Sequence, residues 1–220
     1  GIGDVRAYDL RSVDVDIRYR TVTTGMLEVN CYILWDEQSR DAVIIDPGSD
    51  PDRIEAEVES LGVSPRAVWL THAHVDHIGG VPDVVHLYDT PVYVHIADHV
   101  LFSSPSNALE PWLPAVSGLP EPICSLPALV SLPATVLHTP GHTPGGVCFH
   151  VPAARLLFSG DTLFHHSIGR TDLPGGDQAQ LLNSISSTLF SLPHNTLVLP
   201  GHGQATTIGR EHAENPYVQC

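Results

Sequence analysis

The sequence contains no lysine. Its ten basic residues, all arginine, stand against 25 aspartates and glutamates, which gives a formal net charge of −15. Nucleic acids and anionic membrane surfaces are bound by clustered basic side chains, so this composition argues against both as partners. No apolar run approaches the length of a membrane span, and no signal peptide is visible. We expect a cytoplasmic protein, with a processed organellar leader as an open alternative because the sequence begins at Gly1.

Cysteine is also scarce. Cys31, Cys124, Cys148 and Cys220 are widely spaced, and no two of them form a C-x-x-C pair. This spacing is typical of free thiols in a reducing compartment rather than of a disulfide framework. We therefore expect free thiols, with the terminal Cys220 exposed to oxidation.

The chain is long and apolar enough to bury a sizeable core, since 42% of its 220 residues are hydrophobic. Neither a linker nor a short repeat divides it, so we expect one domain over residues 1–220. Alternating and apolar runs predict strands at 13–24, 30–35, 42–45, 67–70, 91–96, 134–137, 147–151, 155–159 and 196–199. The proline-rich residues 103–127 are predicted to form a long irregular surface segment.

Two helices have clear end signals. The first is predicted to begin at Pro51 after an N-cap at Asp50 and to end at Gly62. The second follows Asp177, which makes a capping-box pattern with Gln180. Their apolar stripes are Ile54, Val58 and Leu61 in the first helix and Leu181, Ile185 and Leu189 in the second.

The densest chemistry lies at residues 71–80, Thr-His-Ala-His-Val-Asp-His-Ile-Gly-Gly, directly after an apolar run. In an extended segment His72 and His74 project from the same side, so both can bind one ion. Asp76 and His77 follow where the strand has ended and can turn towards a second ion. Imidazole nitrogen and carboxylate oxygen are ligands that zinc and similar divalent ions take from proteins. The decapeptide therefore predicts a metal site.

Three further candidate ligands each sit just past a predicted strand. His142 lies in T-P-G-H-T-P-G, Asp161 in F-S-G-D-T and His202 in P-G-H-G. Glycine and proline at these points allow sharp turns and a close approach of the backbone. Loops at strand ends are where a rigid sheet displays functional side chains. As a set, the three residues complete the site that residues 71–80 begin.

The order and surroundings of these residues resemble the metallo-β-lactamase superfamily. The resemblance implies a four-layer αββα sandwich of the α/β class and two divalent metal ions, zinc first, with iron or manganese also suitable. It implies His72, His74 and His142 on the first ion, Asp76, His77 and His202 on the second, and Asp161 as the bridge. Asp76 and Asp161 would be catalytic, Asp76 by orienting the attacking hydroxide. Asp46 is interpreted either as a partner that orients a histidine or as a capped turn.

The stretch 158–176, F-S-G-D-T-L-F-H-H-S-I-G-R-T-D-L-P-G-G, resembles glyoxalase II-like hydrolases. That resemblance implies cleavage of the thioester S-2-hydroxyacylglutathione, S-lactoylglutathione for example, to a 2-hydroxy acid and glutathione by a metal-bridging hydroxide. Only residues 203–220 follow His202, so the chain resembles the short members without a C-terminal helical domain that binds glutathione. The small-molecule partner expected is a thioester, a glutathione conjugate first.

Two alternatives on the same fold stay open. A persulfide dioxygenase would use one Fe(II) ion on His72, His142 and Asp161 and would act on glutathione persulfide. A lactonase is the lesser alternative.

Three residues are candidates for substrate binding. Arg170 is predicted to hold the anionic end of the substrate, because an arginine fork can bind a carboxylate through two parallel hydrogen bonds. The competing interpretation is that Arg170 pairs with Asp172 or Asp177 and pins the loop. His165 and His166 follow Asp161 closely and are expected to line the pocket.

Overall fold

The computed structural model describes residues 15–126, 129 and 131–219. The strands of its first sheet are β1 Ile17–Thr24, β2 Val29–Asp36, β3 Asp41–Ile45, β4 Ser64–Trp69 and β5 Val92–Tyr93. They lie side by side in sequence order. The first three form the predicted antiparallel meander, and β4 and β5 add to it in parallel.

Two strand predictions for this sheet need correction. β1 begins at Ile17, and the predicted start of that strand at Val13 lies outside the described residues. β5 ends at Tyr93 rather than at Ile96, because the chain turns into a short 3-10 helix at Ile96–Asp98. This early turn has a functional consequence, since it buries Asp98 beside the candidate site.

The second sheet contains the later strands. They are β6 Thr135–His138, β7 Val147–Val151, β8 Leu156–Gly160, β11 Leu197–Pro200 and β12 Thr206–Thr207. Their order is β12-β11-β8-β7-β6, with β8 parallel to β11 and the other pairs antiparallel. Between β8 and β11 in the chain, β9 Leu163–Phe164 and β10 Ser167–Ile168 form a separate small hairpin.

The helices lie outside the two sheets. They are α1 Pro51–Leu61, α2 Val75–Ile78, α3 Val81–Tyr88, α4 His99–Phe102, α5 Gln178–Asn183 and α6 Ile208–Glu214. Asp177 caps α5 as predicted, since its Oδ1 accepts a hydrogen bond of 3.0 Å from the Gln180 amide. Asp50 precedes α1 but makes no cap bond there, because its carboxylate accepts a bond of 2.8 Å from the Gly25 amide instead.

The predicted second helix is also less regular than its apolar stripe suggests. After α5 the chain forms a π-helical turn at Ser184–Thr188 and a 3-10 turn at Leu189–Ser191. The stripe itself is confirmed, because Leu181, Ile185 and Leu189 are all fully buried. Burial against the second sheet therefore holds the segment in place although its backbone pattern changes.

Three layers of apolar side chains separate four layers of secondary structure. Ile33, Ile44, Ile54, Val58 and Val84 pack between the first sheet and helices α1 and α3. Tyr32, Trp69, Phe149 and Phe158 pack between the two sheets. Cys148, Leu157, Leu181, Val198 and Ile208 pack between the second sheet and helices α5 and α6. The predicted four-layer αββα sandwich is confirmed.

Two further expectations concern the thiols and the membrane. Cys31 and Cys148 are buried free thiols and Cys124 is an exposed one, while Cys220 lies outside the described residues. Within the described part of the chain, no helix is both long enough and apolar enough to cross a membrane.

One edge of the sandwich collects the ends of several strands. β3 and β4 are parallel and therefore end at the same edge of the first sheet, and β8 and β11 do the same in the second. A hydrogen bond of 2.9 Å from the Val147 amide to the Thr71 carbonyl joins the two edges. Loops from both sheets meet here, and this is where a site can be assembled.

Candidate metal centre

All seven predicted ligands lie at this shared edge. His72 and His74 follow β4, Asp76 and His77 lie on α2, His142 follows β6, Asp161 follows β8, and His202 follows β11. Six of them are buried and His202 is half-buried. Their ligand atoms fall into two groups, and within each group the atoms lie within 4.8 Å of one another. We call His72, His74 and His142 the first group, and Asp76, His77, Asp161 and His202 the second group.

The first group consists of imidazoles alone. His74 Nδ1 and His142 Nε2 are 3.1 Å apart, and the rings of His72 and His142 meet edge to face with centroids 4.7 Å apart. Burial, followed by the neighbouring His142, lowers the pKa of His74 to about 4. Burial, followed by the charge of His77, also lowers the pKa of His72 well below its usual value. His72 and His74 are therefore neutral near pH 7, the form that binds a metal ion.

The second group combines two carboxylates with two imidazoles. His202 Nε2 lies 3.1 Å from Asp76 Oδ2, and His77 Nε2 lies 3.1 Å from Asp161 Oδ1. Burial disfavours a charged His202, but the hydrogen bonds to Asp161 and Asp76 outweigh it and raise its pKa to about 10. The same contest raises the pKa of His77 well above its usual value, with Asp161 as the largest favourable charge. In the absence of metal, protons on His77 and His202 therefore balance the negative charges of the two carboxylates.

Asp161 stands between the two groups. Its Oδ2 lies 3.5 Å from His142 Nε2 and 3.8 Å from His72 Nε2, and it also lies 3.5 Å from His202 Nε2. Burial would raise the pKa of this carboxyl, but the neighbouring histidines, His77 first, hold it well below its usual range. Of the two carboxylates in the cluster, Asp161 is the one that approaches ligand nitrogens of both groups.

Four buried atoms in the cluster make no hydrogen bond in the described structure: His72 Nε2, His77 Nε2, Asp76 Oδ1 and Asp161 Oδ1. The 3.1 Å approach of His77 to Asp161 thus lacks hydrogen-bond geometry. A buried polar atom without a partner is costly, and such atoms are rare in native proteins. Four of them converging on one space, all nitrogen or carboxylate oxygen, fit a bound metal. The His/Asp cluster is a metal-binding cluster consistent with two ions.

The rings are oriented by bonds on their far sides. His142 Nδ1 donates to the Arg170 carbonyl at 2.7 Å, and His202 Nδ1 donates to the Leu27 carbonyl at 3.0 Å. A carbonyl only accepts, so each Nδ1 carries the proton and each Nε2 is free for a metal ion. Neither acceptor could be found from the sequence, because a backbone carbonyl has no residue-type signature.

Asp46 orients two more of the rings. Its Oδ2 accepts from His77 Nδ1 at 2.8 Å and from the Thr71 hydroxyl at 2.6 Å. Because the Thr71 hydroxyl donates its proton to Asp46, its oxygen accepts a hydrogen bond from His72 Nδ1 at 3.0 Å. Of the two interpretations of Asp46, the geometry is that of a partner that orients a histidine. It reaches one histidine of each group, one of them through Thr71.

The turn that carries His202 is fixed by the first sheet. Asn30 Nδ2 donates to the Pro200 carbonyl at 3.1 Å and to the Gly203 carbonyl at 2.9 Å, and the Tyr32 hydroxyl donates to Pro200 at 2.6 Å. A Cβ at Gly201 would lie 2.5 Å from Asp161 Oδ1 and 2.6 Å from His77 Cε1. Only glycine therefore lets this turn pass so close to the ligands.

Asp98 is a residue of the site that the sequence analysis missed. Its carboxylate is fully buried between the loop of His72 and His74 and the loop of His142. Burial raises its pKa, and the hydrogen bonds of Thr143, Gly145 and Ala73 oppose that rise. The sequence marked this position only weakly, because Asp98 comes five residues after the end of β5, whereas Asp46 follows β3 directly.

An open cavity of about 640 Å³ lies over the cluster. Its polar floor includes His74, Asp76, His142, Asp161 and His202. Its apolar wall is formed by Leu27, Leu109, Phe164 and Leu173. Leu109 belongs to the irregular segment 103–127, so this segment does contribute to the cavity. The volume suits a small-molecule substrate whose reacting group reaches the ligands.

The three predicted substrate residues have different surroundings. Arg170 lines the cavity, but its guanidinium forms a two-pronged pair with Asp172, with Nε–Oδ1 at 2.7 Å and Nη2–Oδ2 at 2.9 Å. His165 also lines the cavity and bonds Gln204 at 2.8 Å. His166 is not among the lining residues, which corrects the expectation for it. Its ring stacks on His165 and bonds Glu214 of α6 at 3.2 Å.

Comparison with known proteins decides the family. The model of the metallo-β-lactamase superfamily matches residues 24–202. The chain belongs to this superfamily. The match spans every ligand loop described above, and it agrees with the resemblance that residues 71–80, His142, Asp161 and His202 carry.

Several individual proteins are similar to this chain over most of its length. Hydroxyacylglutathione hydrolase GloC of Haemophilus influenzae is 35% identical over 196 residues, 86% of this chain and 92% of that protein. Among solved structures, the BLEG-1 B3 metallo-beta-lactamase has a TM-score of 0.86 and 36% identity over 92% of this chain and 100% of that one. A di-iron-bound form of TTHA1623 has a TM-score of 0.78 and 40% identity, covering 90% and 100%. ETHE1 from Myxococcus xanthus has a TM-score of 0.70 and 29% identity, covering 90% and 83%.

Proposed function

We propose that the protein is a metal-dependent thioester hydrolase whose substrate is an S-2-hydroxyacylglutathione such as S-lactoylglutathione. The observation that carries the proposal is that both ligand groups are complete and that residues of both line one open cavity. A hydrolase that activates water with one ion and polarises a carbonyl with another needs both groups. The likeness to GloC supports the choice of substrate.

When bound, two divalent ions would supply Lewis acidity that polarises the thioester carbonyl and lowers the pKa of a water molecule. His72, His74 and His142 would hold one ion, Asp76, His77 and His202 the other, and Asp161 would touch both. Zinc, iron and manganese all suit these donors, and the di-iron form of TTHA1623 makes iron as good a candidate as zinc.

The residues of the chain handle the proton. In hydrolysis the water oxygen bonds to the carbonyl carbon, the C–S bond breaks, and one proton must pass from the water to the leaving thiolate. Asp76 lines the cavity beside the other ligands, so its carboxylate is placed to orient the water and to accept its proton.

The cavity wall binds the rest of the substrate. Leu27, Leu109, Phe164 and Leu173 give the acyl and thiol carbons an apolar surface. Arg170 is the arginine among the lining residues, and it shares its charge with Asp172. A glutathione carboxylate would therefore compete with Asp172 for the same guanidinium.

The test is an assay of the metal-reconstituted protein with its metal content measured. We expect about two ions per chain. With S-lactoylglutathione we expect release of free thiol, followed with a thiol reagent, and no uptake of oxygen at an electrode. Loss of activity on chelation and its return with metal would serve as the control. Absence of thiol release from a protein loaded at both groups would refute the proposal.

The second candidate is a persulfide dioxygenase with one Fe(II) ion on His72, His142 and Asp161. Its support is the fold shared with ETHE1 at 29% identity. A dioxygenase of this kind would not use His77 or His202 as metal ligands. Both residues are nevertheless present, with a ring nitrogen 3.1 Å and 3.5 Å from Asp161, respectively. Oxygen-dependent sulfite formation from glutathione persulfide, with no thioesterase activity, would decide for it.

A further inference from the structure

Asp98 occupies an unusual position for a carboxylate. It ends the short 3-10 helix after β5, and its side chain is fully buried. Its Oδ2 accepts hydrogen bonds from the Ala73 amide at 3.1 Å and the Thr143 hydroxyl at 2.9 Å. Its Oδ1 accepts one from the Gly145 amide at 2.6 Å. Asp98 thus receives three bonds from two loops that are far apart in the sequence.

Both loops carry ligands of the first group. Ala73 stands between His72 and His74, and Thr143 follows His142 directly. The fit on the second loop is tight, because a Cβ at Gly145 would lie 2.5 Å from the Asp98 nitrogen and 2.7 Å from its Oδ1. The carboxylate therefore fixes the distance between the two loops that must converge for three imidazoles to share one ion.

A residue that only joins two loops does not need an ionisable side chain such as that of Asp98. Asp98 forms no ion pair with any arginine or histidine in the described part of the chain. Burying an unpaired carboxylate costs free energy that three hydrogen bonds only partly offset. A neutral side chain could join two loops with a smaller cost. A carboxylate, however, offers acceptors on both oxygens, and all three loop groups are donors.

We propose that Asp98 is a positioning residue for the metal centre, which clamps the His72–His74 loop to the His142 loop and so preorganises the first group. In the described structure its side chain makes no hydrogen bond to a ligand ring, so it would act through the loops that carry the ligands. The second group has its own supports in Asp46 and in the turn at 200–203, so it should not depend on this clamp. The inference concerns the metal centre and holds whether the substrate is a thioester or a persulfide, so its failure is distinct from that of the proposed function.

The test replaces Asp98 by asparagine, which conserves volume. The amide nitrogen of Asn cannot accept, so at least one of the Ala73 and Gly145 amides loses its partner whichever way the side chain is turned. The readout is zinc affinity from chelator competition, measured in two backgrounds. His202→Ala weakens the second group, and His142→Ala weakens the first.

We expect Asp98→Asn to lower zinc affinity by about 10- to 100-fold in the His202→Ala background, the scale seen for partners that orient ligands. In the His142→Ala background it should leave zinc affinity unchanged. Asp83→Asn, at an exposed residue of α3, is the control for the loss of one charge and should change neither. Equal loss of affinity in both backgrounds, or no loss in either, would overturn the inference.

A second variant and a second readout keep the test decisive if Asp98→Asn folds poorly. Thr143→Val removes one of the three donors, is nearly the same shape, and leaves both backbone bonds in place. We expect it to lower zinc affinity less than Asp98→Asn and again only in the His202→Ala background. In the metal-free protein, amide hydrogen exchange at Ala73 should quicken in Asp98→Asn. Unchanged exchange at Ala73 together with unchanged affinity in Thr143→Val would overturn the clamp.

Discussion

The two ligand groups of the site are built on different principles. The first group consists of three imidazoles, and burial keeps the pKa values of His72 and His74 low. The second group contains Asp76 and Asp161, and these carboxylates raise the pKa of His202 to about 10 and that of His77 as well. Without metal, His72 and His74 of the first group are neutral near pH 7, whereas the second group is a buried cluster of ion pairs.

This difference indicates which interactions hold the side chains of each group in position. Opposite charges attract, so the second group is held together from within, and a metal ion must displace protons to enter it. The first group contains no carboxylate, so no ion pair within it draws its three rings together, and its shape depends more on partners outside it. Those partners are the Arg170 carbonyl behind His142, Thr71 behind His72, and the Asp98 clamp. The predictions below separate the two kinds of support.

The largest effect is expected from Asp161→Ala, because Asp161 is the one carboxylate close to both groups. The variant should lose bound metal from both groups and lose turnover with it. Metal per chain after reconstitution and the rate of thiol release measure the two losses. Asp83→Ala, at an exposed acidic residue, should lose neither. Two ions and normal turnover in Asp161→Ala would show that Asp161 is not a bridge.

The second prediction compares His202→Ala with His142→Ala. Each removes one imidazole from one group, so each should lose mainly the ion of its own group. Thioester hydrolysis should fall in both variants by at least about 10²-fold, the scale of losing one stabiliser of the transition state. Oxygenation of glutathione persulfide, if it occurs, should survive in His202→Ala and be lost in His142→Ala. Hydrolysis that survives in His202→Ala would mean that one ion suffices.

The third prediction concerns Asp46, which supports one histidine of each group. Asp46→Asn weakens the bond to His77 directly and disturbs the Thr71 hydroxyl that accepts from His72. We expect a loss of about 10- to 100-fold in metal affinity at both groups. Thr71→Val removes only the partner of His72 and should affect the first group alone. Chelator competition in the single-group backgrounds distinguishes the two patterns, and a loss confined to one group in Asp46→Asn would contradict this prediction.

The sequence predicted the fold, and it predicted which side chains the fold brings together, for a physical reason. Each predicted ligand follows an apolar run, and apolar runs become buried strands whose ends meet at one edge. The groups that orient the ligands are marked less clearly in the sequence than the ligands themselves. The carbonyls of Leu27 and Arg170 act through backbone that every residue type shares, so no pattern marks them. Asp98 was missed because the predicted strand 91–96 concealed the turn that buries it.

The periodicity of apolar residues also predicted a more regular helix than the structure contains. The stripe of Leu181, Ile185 and Leu189 predicts one continuous helix, and all three residues are buried as expected. The backbone nevertheless passes through a π-helical turn that begins at Ser184, and the Ser184 hydroxyl donates to the Pro140 carbonyl at 2.8 Å, which ties the segment to the His142 loop. A bond between segments 44 residues apart cannot be inferred from periodicity.

The smallest effect is expected at Arg170, where the side chain and the backbone have separate roles. The carbonyl holds His142 and survives any substitution of the side chain, whereas the guanidinium pairs with Asp172 at the cavity wall. Both partners are at least half exposed, so the pair is a weak one. Arg170→Ala should therefore leave metal affinity unchanged.

If the guanidinium receives a substrate carboxylate, Arg170→Ala should raise KM for S-lactoylglutathione by about two- to fivefold, the scale of one exposed ion pair, with little change in kcat. Asp172→Asn removes the competitor for that guanidinium and should lower KM for the same substrate. If the pair merely pins the loop, both variants break the same contact, and both should lower kcat for every substrate. Asp83→Asn corrects for the change in net charge, and a neutral thioester should show no KM shift in either variant. The direction of the KM change in Asp172→Asn thus separates the two roles, and a rise there would exclude Arg170 from substrate binding.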